Sequence, residues 1–369
     1  MQDDDRLTVG VEEEYLVVDP VSRSVRPEAD SLIAYAAKEM GDGVSAEITR
    51  FQIEARTDPH TELAGLGAQL RSMRAVVARA AALHGLRVVS SGSPVLGAVT
   101  PPPLTEGPRY ARSFDRFRAL DDEQSICACH VHIGLADRSR ALAVSNHLRP
   151  WLPVLVALGA NSPFWAGRDT GYASWRAVTW ARWPVAGPPP FFRSVAHFEE
   201  MVGQLSISGA IMDRSALYWD IRPSEHVPTL EVRVADAAMT VGDTLLLAAV
   251  IRALVDTALR AVDAGEPAPN PSPEVLRAAC WRAARDGLGG QGLDLRTGRL
   301  VPAVVSADGL LTHVSAALKR HGDLGLVRAS WARLRTHGTG ADRQRAAHRR
   351  RASLHDVVDC LIASAAEGI

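Results

Sequence analysis

The sequence predicts an α+β fold built on a mostly antiparallel sheet. Three observations carry that reading. Short segments with period-two alternation are scattered among longer segments of helical period. They do not follow the regular strand–helix–strand order of a parallel sheet. Several strands set an apolar face against a face of charge or imidazole, as a sheet covered on one side does. With no internal repeat or low-complexity linker, residues 1–369 read as a single domain.

The elements follow in order. Residues 7–19 read as a strand, turned by Asp19-Pro20. Residues 31–40 form a short helix stopped by Gly41-Asp42-Gly43, and 45–56 alternate as one strand. Residues 61–84 are a long helix: Asp58-Pro59-His60-Thr61 supplies a proline and an N-cap, and Gly85 ends it. A short buried strand at 87–91 and a Pro-rich loop at 100–108 precede a strand at 126–135 and a helix at 141–159. Residues 161–190 lack a period and are crowded with Trp, Arg, Gly and Pro, which marks a long ordered loop of the kind that often carries function. A helix at 195–206, strands at 219–222 and 229–234, and a long helix at 243–264 come next. After a Pro-rich surface break at 265–273, helices are expected at 273–286, 310–321 and 341–365.

Composition narrows the setting. A net charge of −1 provides no global field for nucleic acid or an anionic membrane. Four cysteines over 369 residues form no disulfide framework, which fits a reducing cytoplasm. The start Met1-Gln2-Asp3-Asp4-Asp5 lacks the basic and apolar regions of a signal peptide. The longest apolar runs, 151–160 and 245–251, are too short to span a bilayer.

Alternation turns spacing into geometry. Glu12 and Glu14 share one face of the first strand, while Val11, Glu13 and Tyr15 share the other. Gln52, Glu54 and Arg56 oppose Phe51, Ile53 and Ala55. His130 and His132 oppose Cys127, Cys129, Val131 and Ile133. Glu231 and Arg233 share a face, as do Asp220 and Arg222. Glu47 lies seven residues before Glu54, an odd offset that joins the same site only through a bend, a bulge or a preceding loop. A merely solvated face would favour Lys, Ser and Thr; this set favours Glu and His beside Arg. Those donors suit a metal–nucleotide site with Mg²⁺ or Mn²⁺, and Arg222 and Arg233 suit phosphate.

Other signals are weaker. Cys127-Ala-Cys-His-Val-His132 resembles a zinc motif, but alternation places the cysteines opposite the histidines. There is no Walker A loop, no Gly-x-Gly-x-x-Gly after a strand and no Gly-x-Ser-x-Gly elbow. Residues 287–292 are glycine-rich and read as a turn or mobile loop. The basic run 343–351 lies in a helical segment without interleaved aromatics, so a solvated helix face explains it better than nucleic acid.

Five stretches together resemble the bacterial carboxylate–amine ligases related to type 2 glutamate–cysteine ligase. They are TVGVEEEY from Thr8, CHVHIG from Cys129, residues 160–176, WDIRP from Trp219 and TLEVRVAD from Thr229, in the family's order over most of the chain. The resemblance implies a sheet curved into a funnel, with helices on its outer face, like the catalytic domain of glutamine synthetase. It implies Glu14, Glu47 and Glu54 as ligands of one metal, and Glu12, His130 and Glu231 as ligands of the metal gripping the nucleotide phosphates. Arg222 and Arg233 would contact phosphate or acyl phosphate. His132 would touch substrate or nucleotide, and Arg168, Tyr172 and Arg176 would hold a substrate carboxylate. Residues 161–190 and 287–292 are candidate lids. The implied partners are ATP, Mg²⁺ and two small molecules, a carboxylate and an amine, of amino-acid type, with a homodimer by analogy. The implied reaction forms a γ-glutamyl or similar amide through an acyl phosphate. A metal-dependent hydrolase using the same face without nucleotide, and a binding protein that has lost turnover, are the alternatives.

Overall fold

Alternation along β1 (Val9–Val18) decides how the chain is layered. In this computed structural model, which describes residues 6–368, its odd positions point into one apolar layer. Val9, Val11, Tyr15 and Val17 meet Cys129, Val131 and Ile133, and then Leu230 and Val232, on that side. The signal-peptide reading rests on residues 1–5, which lie outside the described residues.

The other strands of the main sheet are β2 (Val44–Ala46), β3 (Gln52–Arg56), β4 (Arg87–Val89), β5 (Ala128–Gly134), β8 (Ile221–Pro223) and β9 (Thr229–Asp236). Between β5 and β8, β6 (Phe164–Trp165) and β7 (Arg168–Asp169) form a minimal hairpin. The sheet runs β2-β3-β1-β5-β9-β8, with β4 on the far end of β1, and every pairing is antiparallel. The antiparallel pairing is the one the α+β reading expects, and the sheet is open.

The first helices are α1 (Ala29–Met40), α2 (Leu63–Leu83), α3 (Pro108–Phe117), α4 (Ala119–Asp122), α5 (Arg138–Leu148), α6 (Leu152–Leu158), α7 (Trp175–Trp180) and α8 (Val195–Ile207). Then come α9 (Val241–Asp263), α10 (Pro273–Asp286), the hairpin β10 (Gln291–Asp294) and β11 (Arg299–Pro302), and α11 (Ala303–His313). The chain ends in α12 (Ser315–Arg320), α13 (Leu324–His337), α14 (Gly340–Arg351) and α15 (Leu354–Ala365). Leu66, Leu70 and Val77 of α2, Val144 and Leu148 of α5, and Leu246–Val255 of α9 fill the layer behind the sheet. A capping box starts α9: Thr240 and Asp243 exchange side-chain and backbone hydrogen bonds.

The opposite face is divided. At one end Leu16, Val18, Phe51 and Phe164 pack with Val357, Val358 and Leu361 of α15. At the other end the face is polar. Cys127 lies just outside β5 and joins the first of these groups, so it does not share the side of Cys129 that strict alternation predicts.

Several predicted elements are subdivided. Residues 45–56 are a hairpin, β2 and β3, rather than one strand. The expected helix at 310–321 divides into α11 and α12, and that at 341–365 breaks at Ala352, in left-handed backbone at φ 53°. Helices α3 and α7 and the β10–β11 hairpin, absent from the sequence reading, lie where proline, aromatic and glycine crowding blurs the period; α13 is also absent from it. No described helix is long and apolar enough to cross a membrane.

Candidate active site

Cross-strand register lines the polar side chains into rows. Glu14 faces Glu54 across β1 and β3. Glu12 faces Arg56 on one side and His130 on the other. Glu231 faces His132 on β5 and Arg222 on β8. Because β3, β1, β5, β9 and β8 are consecutive in the sheet, these rows converge on one patch.

Three groups of ligand atoms form there, each within 4.8 Å: Glu14, Glu47 and Glu54; Glu12, His132 and Glu231; and Glu12, Glu54 and His130. Glu47 reaches the first group from the connection between β2 and β3, which resolves its odd offset. Its place is held by Thr105, whose hydroxyl donates to the Glu47 carbonyl. The second group differs from the expected trio of Glu12, His130 and Glu231, because register sets His132, not His130, directly opposite Glu231. His130 lies between the groups, with Nδ1 2.9 Å from Glu12 and 4.0 Å from Glu231, and Nε2 3.9 Å from Glu14. The Nε2 of His132 is buried without a hydrogen bond, 3.4 Å from Glu12 and 4.0 Å from Glu231.

The arginine edge is anchored to the same carboxylate. Arg222 Nε donates to Glu231 at 2.7 Å, and Arg233 also pairs with Glu231. Opposite His130, the β5–β9 register slips between Cys129 and Val131, a bulge at the level of Arg233 and Val234. Bulged carbonyls need other donors. Arg176 supplies them, bonding the carbonyls of Arg233 at 2.9 Å and Val234 at 3.3 Å.

The two ends of the patch are electrostatically opposite. Burial and the neighbouring Glu47 push the Glu14 carboxyl up to about 8. Burial, then Glu12, Glu47 and Glu14, hold Glu54 well above its ordinary value, and burial also raises Glu47. At the other end burial again opposes ionisation, but the charges of Arg233 and Arg222 overcome it and hold Glu231 low. The hydrogen bond to His130 and the nearby charges of His130 and His132 do the same for Glu12. Burial and Arg233 lower His130 to about 4, whereas Glu12 and Glu231 outweigh burial at His132 and raise it. One end is thus an uncompensated carboxylate cluster, the other a balanced ionic network.

The model of glutamate–cysteine ligase family 2 matches residues 8–359. The chain belongs to that family. A Saccharopolyspora erythraea protein provisionally named glutamate–cysteine ligase 2-1 is 46% identical over 353 residues, covering 96% of this chain and 93% of its own length. A Nocardia farcinica protein of the same provisional name is 46% identical over 344 residues, covering 92% and 88%. Among solved structures, a glutamate–cysteine ligase from Francisella tularensis in complex with AMP superposes with a TM-score of 0.73 at 12% identity, covering 98% of this chain and 88% of that one. A bifunctional glutathione synthetase from Pasteurella multocida gives 0.74 at 13%, covering 99% and 52%. At such identities the superpositions speak for the fold. Family membership makes the chain an ATP-dependent ligase that forms a C–N bond.

For this family member the loop expectations change. Arg176 is buried and engaged with the β9 backbone rather than directed to a substrate carboxylate, because the bulge leaves carbonyls that need a donor. Tyr172 receives a hydrogen bond from Trp281 at 3.2 Å and packs edge-on to Trp175. Arg168 is exposed in β7. No hydrogen bond or ion pair among the described residues links Arg168 or Tyr172 to the carboxylate patch. The loop is also pinned rather than lid-like: buried Asp236 accepts from Asn161 N, Ser162 Oγ and Ser174 Oγ, each at 2.7 Å. In the basic run, Arg343 pairs with Asp243 and Arg345 with Asp169, so these charges bind helix α14 to the body.

Sequence reasoning missed the supports. Glu13, on the far side of β1, is fully buried and takes a two-pronged ion pair from Arg74 at 2.7 and 2.9 Å. It also missed Ser45, which donates to Glu54 at 3.2 Å, and the α3 residues Arg109 and Tyr110. The aromatic and arginine content around the Pro-rich loop was the available signal.

Proposed function

We propose that this family member joins the carboxylate of one amino acid to the amine of another, forming a γ-glutamyl or similar amide through an acyl phosphate at the expense of ATP. The supporting observation is the convergence of Glu14, Glu47 and Glu54, three buried or half-buried carboxylates within 4.8 Å, beside an arginine edge. Hard oxygen donors packed this closely fit Mg²⁺ or Mn²⁺, and the unpartnered His132 Nε2 fits a second site with Glu12 and Glu231. Held by these residues, a divalent cation would offset phosphate charge and help orient the γ-phosphoryl group.

The protein's own residues do the rest. Glu231 holds Arg222 and Arg233 at one edge, where their guanidiniums would donate to the transferred phosphoryl oxygens. The substrate carboxylate oxygen forms a bond to the γ-phosphorus as the bond to the β–γ bridging oxygen breaks, and ADP leaves. The amine nitrogen then bonds to the acyl carbon, loses a proton, and inorganic phosphate departs. Water must be kept from the acyl phosphate. The pinned loop at 161–174 and the apolar group Phe117, Ile126, Trp180 and Trp183 would supply walls. Four cysteines without a disulfide fit a cytoplasmic setting.

An ADP-release screen over pairs of amino acids, with mass spectrometry of products, tests the reading. ADP release should require both a carboxylate and an amine, and an amide of their summed mass less water should appear. Release that ignores the amine, or lacks an amide product, would sink it.

A further inference from the structure

His130 and His132 stand on one face of β5, yet their rings are held differently. The Nδ1 of His130 meets a carboxylate, Glu12, at 2.9 Å. The Nδ1 of His132 meets a hydroxyl, Thr229 Oγ1, at 2.9 Å. The far nitrogen of His132 is the unpartnered one: Nε2 is buried without a hydrogen bond, beside Glu12 and Glu231. An imidazole held at one nitrogen and open at the other is oriented as a ligand, and the group at the held nitrogen decides which way the ring faces.

Thr229 reaches the ring because of register. It opens β9, two residues before Glu231 and on the same face. Glu231 lies directly opposite His132 and Thr229 directly opposite Gly134, so the hydroxyl meets the ring on the diagonal. The backbone around it is tied down. Thr229 N donates to Val227 O at 2.8 Å, Ser224 N to Thr229 O at 2.9 Å, and Leu135 N to Pro228 O at 3.0 Å. Outside this turn Glu225 pairs with Arg138 at 2.9 Å and Arg214 at 3.1 Å, and Glu199 pairs with the same two arginines at 3.0 and 2.8 Å. That closed ring of four charges clamps the β8–β9 turn to α5 and α8.

A neutral imidazole carries one proton, on one nitrogen or the other. With the proton on Nε2, the ring donates toward the carboxylates and has no lone pair for a cation. With the proton on Nδ1, the ring donates to Thr229 Oγ1 and its Nε2 lone pair faces Glu12 and Glu231, an arrangement that a cation among the three favours. We propose that Thr229 is a positioning residue: by accepting the Nδ1 hydrogen bond it fixes the His132 ring and leaves Nε2 free for a divalent cation held with Glu12 and Glu231. The inference rests on the metal reading above.

Two readouts test it. In protein carrying nitrogen-labelled histidine, the His132 ring signals, assigned by their loss in His132→Gln, should show with Mg²⁺ a proton on Nδ1 and none on Nε2. Titration with Mn²⁺, followed by electron paramagnetic resonance of the free ion, measures affinity. Thr229→Val keeps the branched shape and removes the hydroxyl. It should weaken, by about tenfold or more, the same Mn²⁺ site that His132→Gln weakens, and it should alter the ring signals. Thr229→Ser should restore both. In the His132→Gln background Thr229→Val should add little, because the two residues act through one contact. A proton found on Nε2 in the Mg²⁺-loaded unmodified protein overturns the assignment before any Thr229 variant is made. So does a Thr229→Val protein whose Mn²⁺ affinity and ring signals are unchanged. An unmodified protein that binds no Mn²⁺ overturns the metal reading and the role of Thr229 together.

Discussion

Glu14 and Glu54 stand directly opposite each other across the β1–β3 ladder, and Glu47 closes on both from the preceding turn. Like charges so placed destabilise a sheet unless a cation or a proton lies between them. The nearest guanidinium to Glu54, that of Arg56, stays 3.7 Å away and is largely exposed.

Replacing Glu54 with Gln removes one of these charges and keeps the shape. Without divalent cations the variant should be more stable than the unmodified protein, by about 1 kcal/mol in urea unfolding. Its ADP release should be abolished. A variant that turned over normally would remove Glu54 from the metal assignment.

The raised carboxyls make stability depend on pH in an unusual direction. Glu14 moves from an ordinary 4.5 to about 8, and Glu47 and Glu54 shift the same way. A carboxyl raised on folding contributes stability that is complete below its unfolded pKa and is lost as pH rises through its folded value. The metal-free protein should therefore lose stability between about 4.5 and about 8 from Glu14. Glu12 and Glu231, held low, work oppositely: their contribution is lost only as pH falls below the ordinary carboxylate range. Since a metal takes the deprotonated form, Mg²⁺ should bind more tightly over the same rise and release protons. Melting curves with chelator and with Mg²⁺, across this interval, read both effects; parallel curves would refute the link.

Behind β1, Arg74 is fully buried and bonds Glu13 and the carbonyls of Ala238 and Met239. Arg74→Met leaves Glu13 charged in the core and should cost about 3–5 kcal/mol in urea unfolding. Adding Glu13→Gln should return part of that loss, because the unpaired charge, not the missing contact, dominates.

Arg176 offers a test between position and recognition. Its guanidinium bonds the Arg233 and Val234 carbonyls. Arg176→Met should lower stability by about 1.5–3 kcal/mol, the cost of losing hydrogen bonds from a charged group. It should lower kcat through the displaced Arg233 and leave the KM of the carboxylate substrate unchanged. A raised KM with normal stability would restore the substrate role expected of it.

By itself the sequence determined which side chains share a face. Period-two alternation is local, so Glu12 and Glu14 part from Glu13, and His130 and His132 from Cys129, wherever the strand lies. It also carried the family, through motifs spread along the chain. Tertiary structure decided the partnerships. His132 meets Glu231 because β5 and β9, 97 residues apart at His132 and Thr229, pair in one register rather than another. Glu47 joins Glu14 because a turn splits what reads as one strand, Arg176 turns to a bulge no local pattern announces, and Pro103 and Thr105 strap the Pro-rich loop to the β2–β3 connection. Register, bulges and straps depend on contacts between distant segments, and spacing within a segment is blind to those.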